Sequence, residues 1–207
     1  SVDHSRRRRR RRKEKRSHES GSRCGKSRRA ERTSVAVTVT VIESYRVYLG
    51  AGSNLGDRLE HLILAEKRLE SIISDICRSR IYETLPRYMV HQPRFLNCAF
   101  TGTTTATAAE LLRSIHEIES EAGRNRTVAG WMGPRPIDID ILLYGNLIIA
   151  RPELQIPHPR MHERKFVLIP LLNLDPQLAD PVTGSRYSEF LARLPPQGIY
   201  YHTLKSL

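Results

Sequence analysis

Apolar positions along the chain fall into two regimes. Up to about residue 33 there is no periodicity of the kind that marks a buried face. From Arg46 a globular pattern sets in. Arg46–Gly50 reads as a short strand and 50–56 (GAGSNLG) as a turn-rich loop. Asp57 with Glu60 three residues on predicts a helix start, and Leu59, Leu62, Ile63, Leu69, Ile72 and Ile73 recur at helical spacing. Cys77–Thr84 reads as a strand, a loop with Pro86 and Pro93 follows, and Phe95–Thr103 reads as another strand. Thr107 and Glu110 form a second capping box, and Leu112, Ile115 and Ile118 make one face of a helix that stops at Gly123. Gly123–Pro136 is a loop carrying Arg124, Arg126 and Arg135; Ile137–Tyr144 is a β-branched apolar run holding two aspartates. Helical patterns at Phe166–Leu174 and Tyr187–Leu194 flank a turn at Pro181–Gly184. The order β-α-β-β-α-β predicts an α/β (α+β) fold, a ferredoxin-like core with a mostly antiparallel sheet and additional C-terminal helices.

Charge separates the same two regimes. The first 33 residues of the 207 hold 15 of the 34 basic and 4 of the 22 acidic residues, seven of the basic ones being consecutive (Arg6 to Arg12). Like charges repel and nothing apolar is present to bury, so 1–33 is expected to be a disordered basic tail and 34–207 one folded domain. The tail could tether nucleic acid or an anionic surface, act as an organelle transit peptide, or be dispensable. Val35–Ile42 behind it has some likeness to a signal peptide, but the basic stretch is too long and no A-x-A site follows. The remainder is nearly neutral, which argues against a basic nucleic-acid-binding domain. No run approaches 18 apolar residues, so no membrane helix is expected. Cys24, Cys77 and Cys98 are odd in number and lack CxxC spacing, which fits a reducing, cytoplasmic setting; the transit-peptide reading keeps an organelle as the alternative.

The chemistry concentrates in residues 133–145 (GPRPIDIDILLYG). Asp138 and Asp140 sit two apart in a strand, so they share one face, with Cα atoms roughly 6–7 Å apart. Ile137, Ile139 and Ile141 then point to the other face, into a core. Paired carboxylates beside an apolar face need compensation: a hard cation such as Mg²⁺, or arginines on an exposed face. Arg124, Arg126 and Arg135 nearby, with His158, Arg160 and Arg164 later, suit a polyphosphate, whose oxygens a metal and guanidinium forks divide between them. No GxxxxGK[ST] is present, so this is not a P-loop, and the third glycine of 50–56 comes one residue late for a dinucleotide fingerprint. His158 and His162 are spaced i, i+4, but there is no HExxH, and Pro159 disfavours a regular helix through both; zinc is not supported.

Gly52-Ser-Asn-Leu-Gly56, Tyr82-Glu-Thr84, 92–97 (QPRFLN), 123–126 (GRNR), 133–142 (GPRPIDIDIL) and Pro157-His158 together resemble the 6-hydroxymethyl-7,8-dihydropterin pyrophosphokinases of folate biosynthesis. The resemblance runs from about Val47 to about Leu194. It implies transfer of the diphosphate of ATP to the hydroxymethyl oxygen of the dihydropterin, with release of AMP. Asp138 and Asp140 would bind two Mg²⁺ ions, and Arg124 and Arg135 would hold the phosphates with Arg126 near them. His158, Arg164, Glu119 and His116 would contact ATP. Asn97 would bond the pterin edge, Phe95 and Phe166 would sandwich the ring, and Thr84 would meet it through its backbone. The residue types agree: a flat, polar-edged heterocycle needs aromatic faces and an amide. For Phe95 and Phe166 taken alone, core packing is the competing explanation.

Two departures from the family pattern stand out. Met132 takes the usual aromatic position before Gly-Pro-Arg, with Trp131 one earlier as the candidate to close over the pterin, and Pro159 stands where an aromatic is frequent. The implied partners are ATP and the pterin, with no membrane and nucleic acid only through the tail; a monomer is expected. An RNA-binding module on the same fold is the alternative, against which stand the missing RNP-type aromatics and the neutral folded part.

Overall fold

The computed structural model describes residues 43–86, 92–124 and 133–202. The basic tail, Val35–Ile42, Arg126, Trp131 and Met132 lie outside the described residues. The first strand, β1 (Tyr45–Ser53), runs three residues further than its apolar pattern predicts, because Ala51 and Gly52 continue the ladder on both sides and Ser53 on one. Asp57 caps α1 (Arg58–Leu69), accepting the Glu60 N–H at 3.0 Å. Ile72 and Ile73 fall beyond α1, in the turn that ends it, where Ile73 N–H bonds Leu69 O at 2.8 Å. The single strand expected over Cys77–Thr84 is two, β2 (Ser74–Arg78) and β3 (Tyr82–Thr84). The break falls at Ser79, whose hydroxyl accepts the Ala99 N–H at 2.9 Å in place of a backbone carbonyl. The next strand and helix, β4 (Phe95–Thr104) and α2 (Ala108–Glu121), follow as expected, with the Thr107–Glu110 capping box formed and Gly123 at φ +85° after the helix. After β5 (Asp138–Tyr144) come the two-residue strands β6 (Ile149–Ala150) and β7 (Gln155–Ile156), then α3 (Lys165–Leu174), α4 (Tyr187–Arg193) and β8 (Ile199–Tyr201).

The main sheet is antiparallel with order β5-β1-β4-β3-β8, and β2 also pairs with β4. This is the expected ferredoxin-like arrangement with helical additions. One face carries Val47, Leu49, Ala51, Ile139 and Ile141, all at most 5% exposed, against Leu62, Leu69, Leu111 and Ile115 of α1 and α2. Fully burying each such side chain contributes about 1.5–3 kcal/mol. The other face holds Asp138, Asp140 and Leu142, which confirms the alternation expected from the sequence. Helices α3 and α4 cover Leu142 and Leu143 through Leu168, Leu171 and Tyr187, joined by Met161 from the short 3-10 turn before α3. They leave the stretch around Asp138 and Asp140 as a cleft.

The turn after α1 reaches the sheet at Gly102. A Cβ there would sit 2.4 Å from Ile73 Cγ2 and 2.6 Å from Ser74 O. Gly102→Ala is therefore expected to destabilise the protein by about 1–3 kcal/mol through overpacking. Chemical denaturation measures this, and an unchanged midpoint would contradict the close approach.

Candidate active site

Strand register assembles the cleft. Gly50 and Gly52 of β1 pair with Asp140 and Asp138 of β5, and Gly52 faces Asn97 of β4 on its other side. The glycines leave room above the sheet: a Cβ on Gly52 would lie 2.8 Å from Asn97 Oδ1. Asn97 is buried, and its Nδ2 donates to the buried Thr84 Oγ1 at 2.8 Å. Thr84, Asn97, Phe95, Phe166, Arg135 and Arg164 line a cavity of about 110 Å³ whose floor includes Asp138 and Asp140. Phe95 and Phe166 are half-buried and line the cavity, and Phe166 also packs against the cluster of Leu142 and Leu168; each ring face carries a guanidinium 5.7 Å from its centroid, Arg135 over Phe95 and Arg164 over Phe166.

The two aspartates live in different surroundings. Asp138 is paired with Arg124 Nη1 at 2.5 Å and Arg135 Nη2 at 2.9 Å. Asp140 keeps 42% of its side chain open to the cleft, with His158 Nε2 at 3.9 Å. Loss of bulk water in the cleft, and then the Asp138 charge, push the Asp140 carboxyl well above the ordinary carboxylate range, although Arg164 and Arg135 pull it down. Burial first, and Arg164 second, lower His158 to about 4, so its imidazole is neutral near pH 7. His158 Nδ1 accepts the Arg160 N–H at 3.2 Å, which places the ring proton on Nε2, facing Asp140. Arg164 Nε is buried with no hydrogen-bond partner among the described residues. A buried donor of this kind is an open position for an anion.

Not every expected ligand residue reaches the cleft. Glu119 is fully buried: it pairs with Arg124 and accepts the Ile139 N–H at 2.9 Å, so it braces the arginine from behind. His116 is exposed, on a separate groove shared with Leu112, Ile149 and Leu154. Arg126 and Trp131 lie outside the described residues. One residue was missed. Asn54, the asparagine of the Gly-Ser-Asn stretch, is 1% exposed. It exchanges bonds with the Arg135 backbone (N–H to O 3.2 Å, and Oδ1 from N–H 2.8 Å) and donates to Gln92 Oε1 at 3.1 Å. The motif itself marks Asn54, but nothing in its spacing shows what it holds.

The residues present fit a hard divalent cation. Asp138 and Asp140 share a face, and the Asp138 charge adds to desolvation in raising Asp140. Among the described residues no group of three or more His, Cys, Asp or Glu side chains could enclose an ion. A cation here would thus keep positions for water or phosphate oxygens, as Mg²⁺ does in phosphoryl-transfer sites. His162 lies in a short 3-10 turn, its Nε2 3.9 Å from Glu163 Oε1.

The fold is ferredoxin-like, and its cleft gathers two carboxylates and several arginines on one face of the sheet. A solved Plasmodium falciparum HPPK-DHPS, wild type with SDX-DHP, shares the fold at TM-score 0.55 and 14% identity, covering 73% of this chain and 44% of that one. The sequence model for 7,8-dihydro-6-hydroxymethylpterin-pyrophosphokinase matches residues 48–176, and the chain belongs to that family. It is 38% identical over 144 residues to the 2-amino-4-hydroxy-6-hydroxymethyldihydropteridine pyrophosphokinase of Aquifex aeolicus, covering 70% of this chain and 89% of that protein. It is 41% identical over 152 residues to the folic acid synthesis protein FOL1 of Dictyostelium discoideum, covering 73% of this chain and 23% of that protein. For the fol1 of Schizosaccharomyces pombe the values are 43% over 154 residues, 73% and 21%. The chain thus spans about a fifth of the length of these folic acid synthesis proteins.

Glu119→Ala should cost about 1–3 kcal/mol of stability, since it strands the buried Ile139 N–H and one side of Arg124. Thermal unfolding of the variant checks this; an unchanged transition would mean that Glu119 is not the brace described.

Proposed function

We propose that the chain transfers the β,γ-diphosphate of ATP to the hydroxymethyl oxygen of 6-hydroxymethyl-7,8-dihydropterin, releasing AMP, in tetrahydrofolate biosynthesis. The observation that carries this is the single cleft in which Asp138, Asp140, Arg135 and Arg164 meet Asn97, Thr84, Phe95 and Phe166. It joins a phosphate-binding half to a half suited to a flat heterocycle. Family membership supports the same reading.

Asn97 and Thr84 would recognise the pterin edge, with the Asn97 amide held in one orientation by its bond to Thr84 Oγ1. Phe95 and Phe166 would take the two ring faces, the pterin displacing the guanidinium groups that now lie over them. Arg124 and Arg135 now neutralise Asp138, and a triphosphate would draw them onto its oxygens. Asp138 and Asp140 would then hold Mg²⁺, two ions in this reading; bound there, Mg²⁺ lowers the proton affinity of the attacking hydroxyl and neutralises phosphate charge. Arg164 Nε offers a further anion contact. Neutral His158, with its Nε2 proton toward Asp140, would donate to a nucleotide oxygen without adding charge. Arg126 would complete the ATP side and Trp131 the pterin side, whereas Glu119 would act on ATP only through Arg124 and His116 lies on a separate groove.

Residues 34–207 form the pterin pyrophosphokinase domain in this reading, a monomer, and 1–33 a basic tail through which any nucleic-acid contact would run. No helix of the described residues is long and apolar enough to cross a membrane. Two relatives, from Arabidopsis thaliana and Pisum sativum, are named as mitochondrial folate synthesis bifunctional proteins. Their naming gives weight to an organelle address for the tail as the alternative to the cytoplasm.

With ATP, Mg²⁺ and the dihydropterin, the protein should release AMP, and omitting the pterin or adding EDTA should abolish release. Asp138→Ala and Asp140→Ala should each lose at least about 100-fold in rate. ADP in place of AMP, or full turnover in both variants, would refute the reading. Trp131→Ala should weaken pterin affinity in equilibrium binding, and an unchanged affinity would remove Trp131 from the pterin site.

A further inference from the structure

The segment after α4 touches elements that carry cleft residues, and it lies beyond the residues 48–176 that the family model matches. Its importance begins with a conflict at the start of α3. The N-cap of that helix is Arg164, which makes no side-chain capping bond. An arginine has donors only, so it cannot cap, whereas the first N–H groups of a helix need acceptors. Arg164 is at the N-cap and also lines the cleft. The acceptor comes from elsewhere: Lys165 N–H donates to Gln197 Oε1 at 2.9 Å.

The other end of the same amide, Nε2, donates to Glu163 O at 3.1 Å. The amide thus grips the backbone on both sides of Arg164, and its orientation is fixed, because reversing it would set donor against donor. The next residue turns to the opposite wall. Gly198 O accepts the Leu85 N–H at 3.3 Å, and β8 continues beside β3 with Ile199 paired to Thr84. A Cβ on Gly198 would fall 2.9 Å from Leu85 Cδ1. Two adjacent residues therefore join the wall that carries Arg164 and Phe166 to the wall that carries Thr84 and Leu85.

We propose that Gln197 is a positioning residue that caps α3 from outside the helix and so sets Arg164 and Phe166 in the cleft. An aspartate or glutamate could also cap, but its charge would pair with Arg164 and repel an anionic ligand. A neutral amide caps without competing for the guanidinium. The ligand side of this role rests on the pyrophosphokinase reading above, whereas the cap does not.

The test uses the full chain with Gln197→Ala and Gln197→Glu. Amide hydrogen exchange without substrates should quicken roughly 2–10-fold over the first turn of α3 in Q197A and less in Q197E, which keeps the acceptor for Lys165 N–H but loses the donor to Glu163 O. In Q197A the KM for both ATP and pterin should rise several-fold with kcat changed less. In Q197E the KM for ATP should rise and that for the pterin should stay near wild type. A merely structural role would lower Tm and leave both KM values of the folded enzyme unchanged; that result, or unaltered exchange in Q197A, overturns the proposal. Failure of the functional reading shows separately, as a wild-type protein without pterin-dependent AMP release, and the exchange arm then still decides the cap. Should Q197A not fold, Q197E decides on both readouts.

Discussion

Two carboxylates held side by side on one face of a sheet repel each other, and only counter-charge offsets that cost. The β1–β5 register places Asp138 and Asp140 there and gives them no freedom to part. Around this pair the structure divides the work. Asp138 is neutralised by Arg124 and Arg135, and Arg124 is in turn held by the buried Glu119. Asp140 has no such neighbour at contact distance among the ion pairs described, and its carboxyl is driven upward. Under the proposed function the pair is set for exchange: a cation would take the aspartates and phosphate oxygens the arginines.

The same constraint explains the small residues opposite. Gly50 and Gly52 face the aspartates, and only a residue without a side chain lets Asn97 lie across Gly52. The heterocycle half of the cleft is thus built on the strand that borders the phosphate half. Asn54 ties the backbone of Arg135 to Gln92 at the edge of both. Cleft and core share strands but not faces, so chemistry on one side does not interrupt the apolar packing of Ile137, Ile139 and Ile141 on the other.

Much of this was legible in the sequence, because alternation and caps are local. The period of two assigned both faces of β5 correctly from Ile137 to Ile141, beyond which a register shift puts Leu142 and Leu143 in one cluster and Tyr144 back in the other; Asp57 and Thr107 marked their helix starts. What escaped was non-local. Ser79 splits a strand by lending its hydroxyl to Ala99 across the sheet. Ile72 and Ile73 keep helical spacing but anchor a turn under Gly102. The family resemblance sets Glu119 with His116 against ATP, yet its partners, Arg124 and Ile139, come from a later loop and strand. Gln197 carries no motif, and its role exists only where the chain's end meets α3.

The most direct test of the central claim is a crystal structure with a non-hydrolysable ATP analogue, Mg²⁺ and the dihydropterin. The account predicts Mg²⁺ on Asp138 and Asp140, Arg124 and Arg135 moved from Asp138 onto phosphate oxygens, and the pterin between Phe95 and Phe166. Arginines still paired to Asp138 with the nucleotide bound, or a metal seated away from both aspartates, would contradict it.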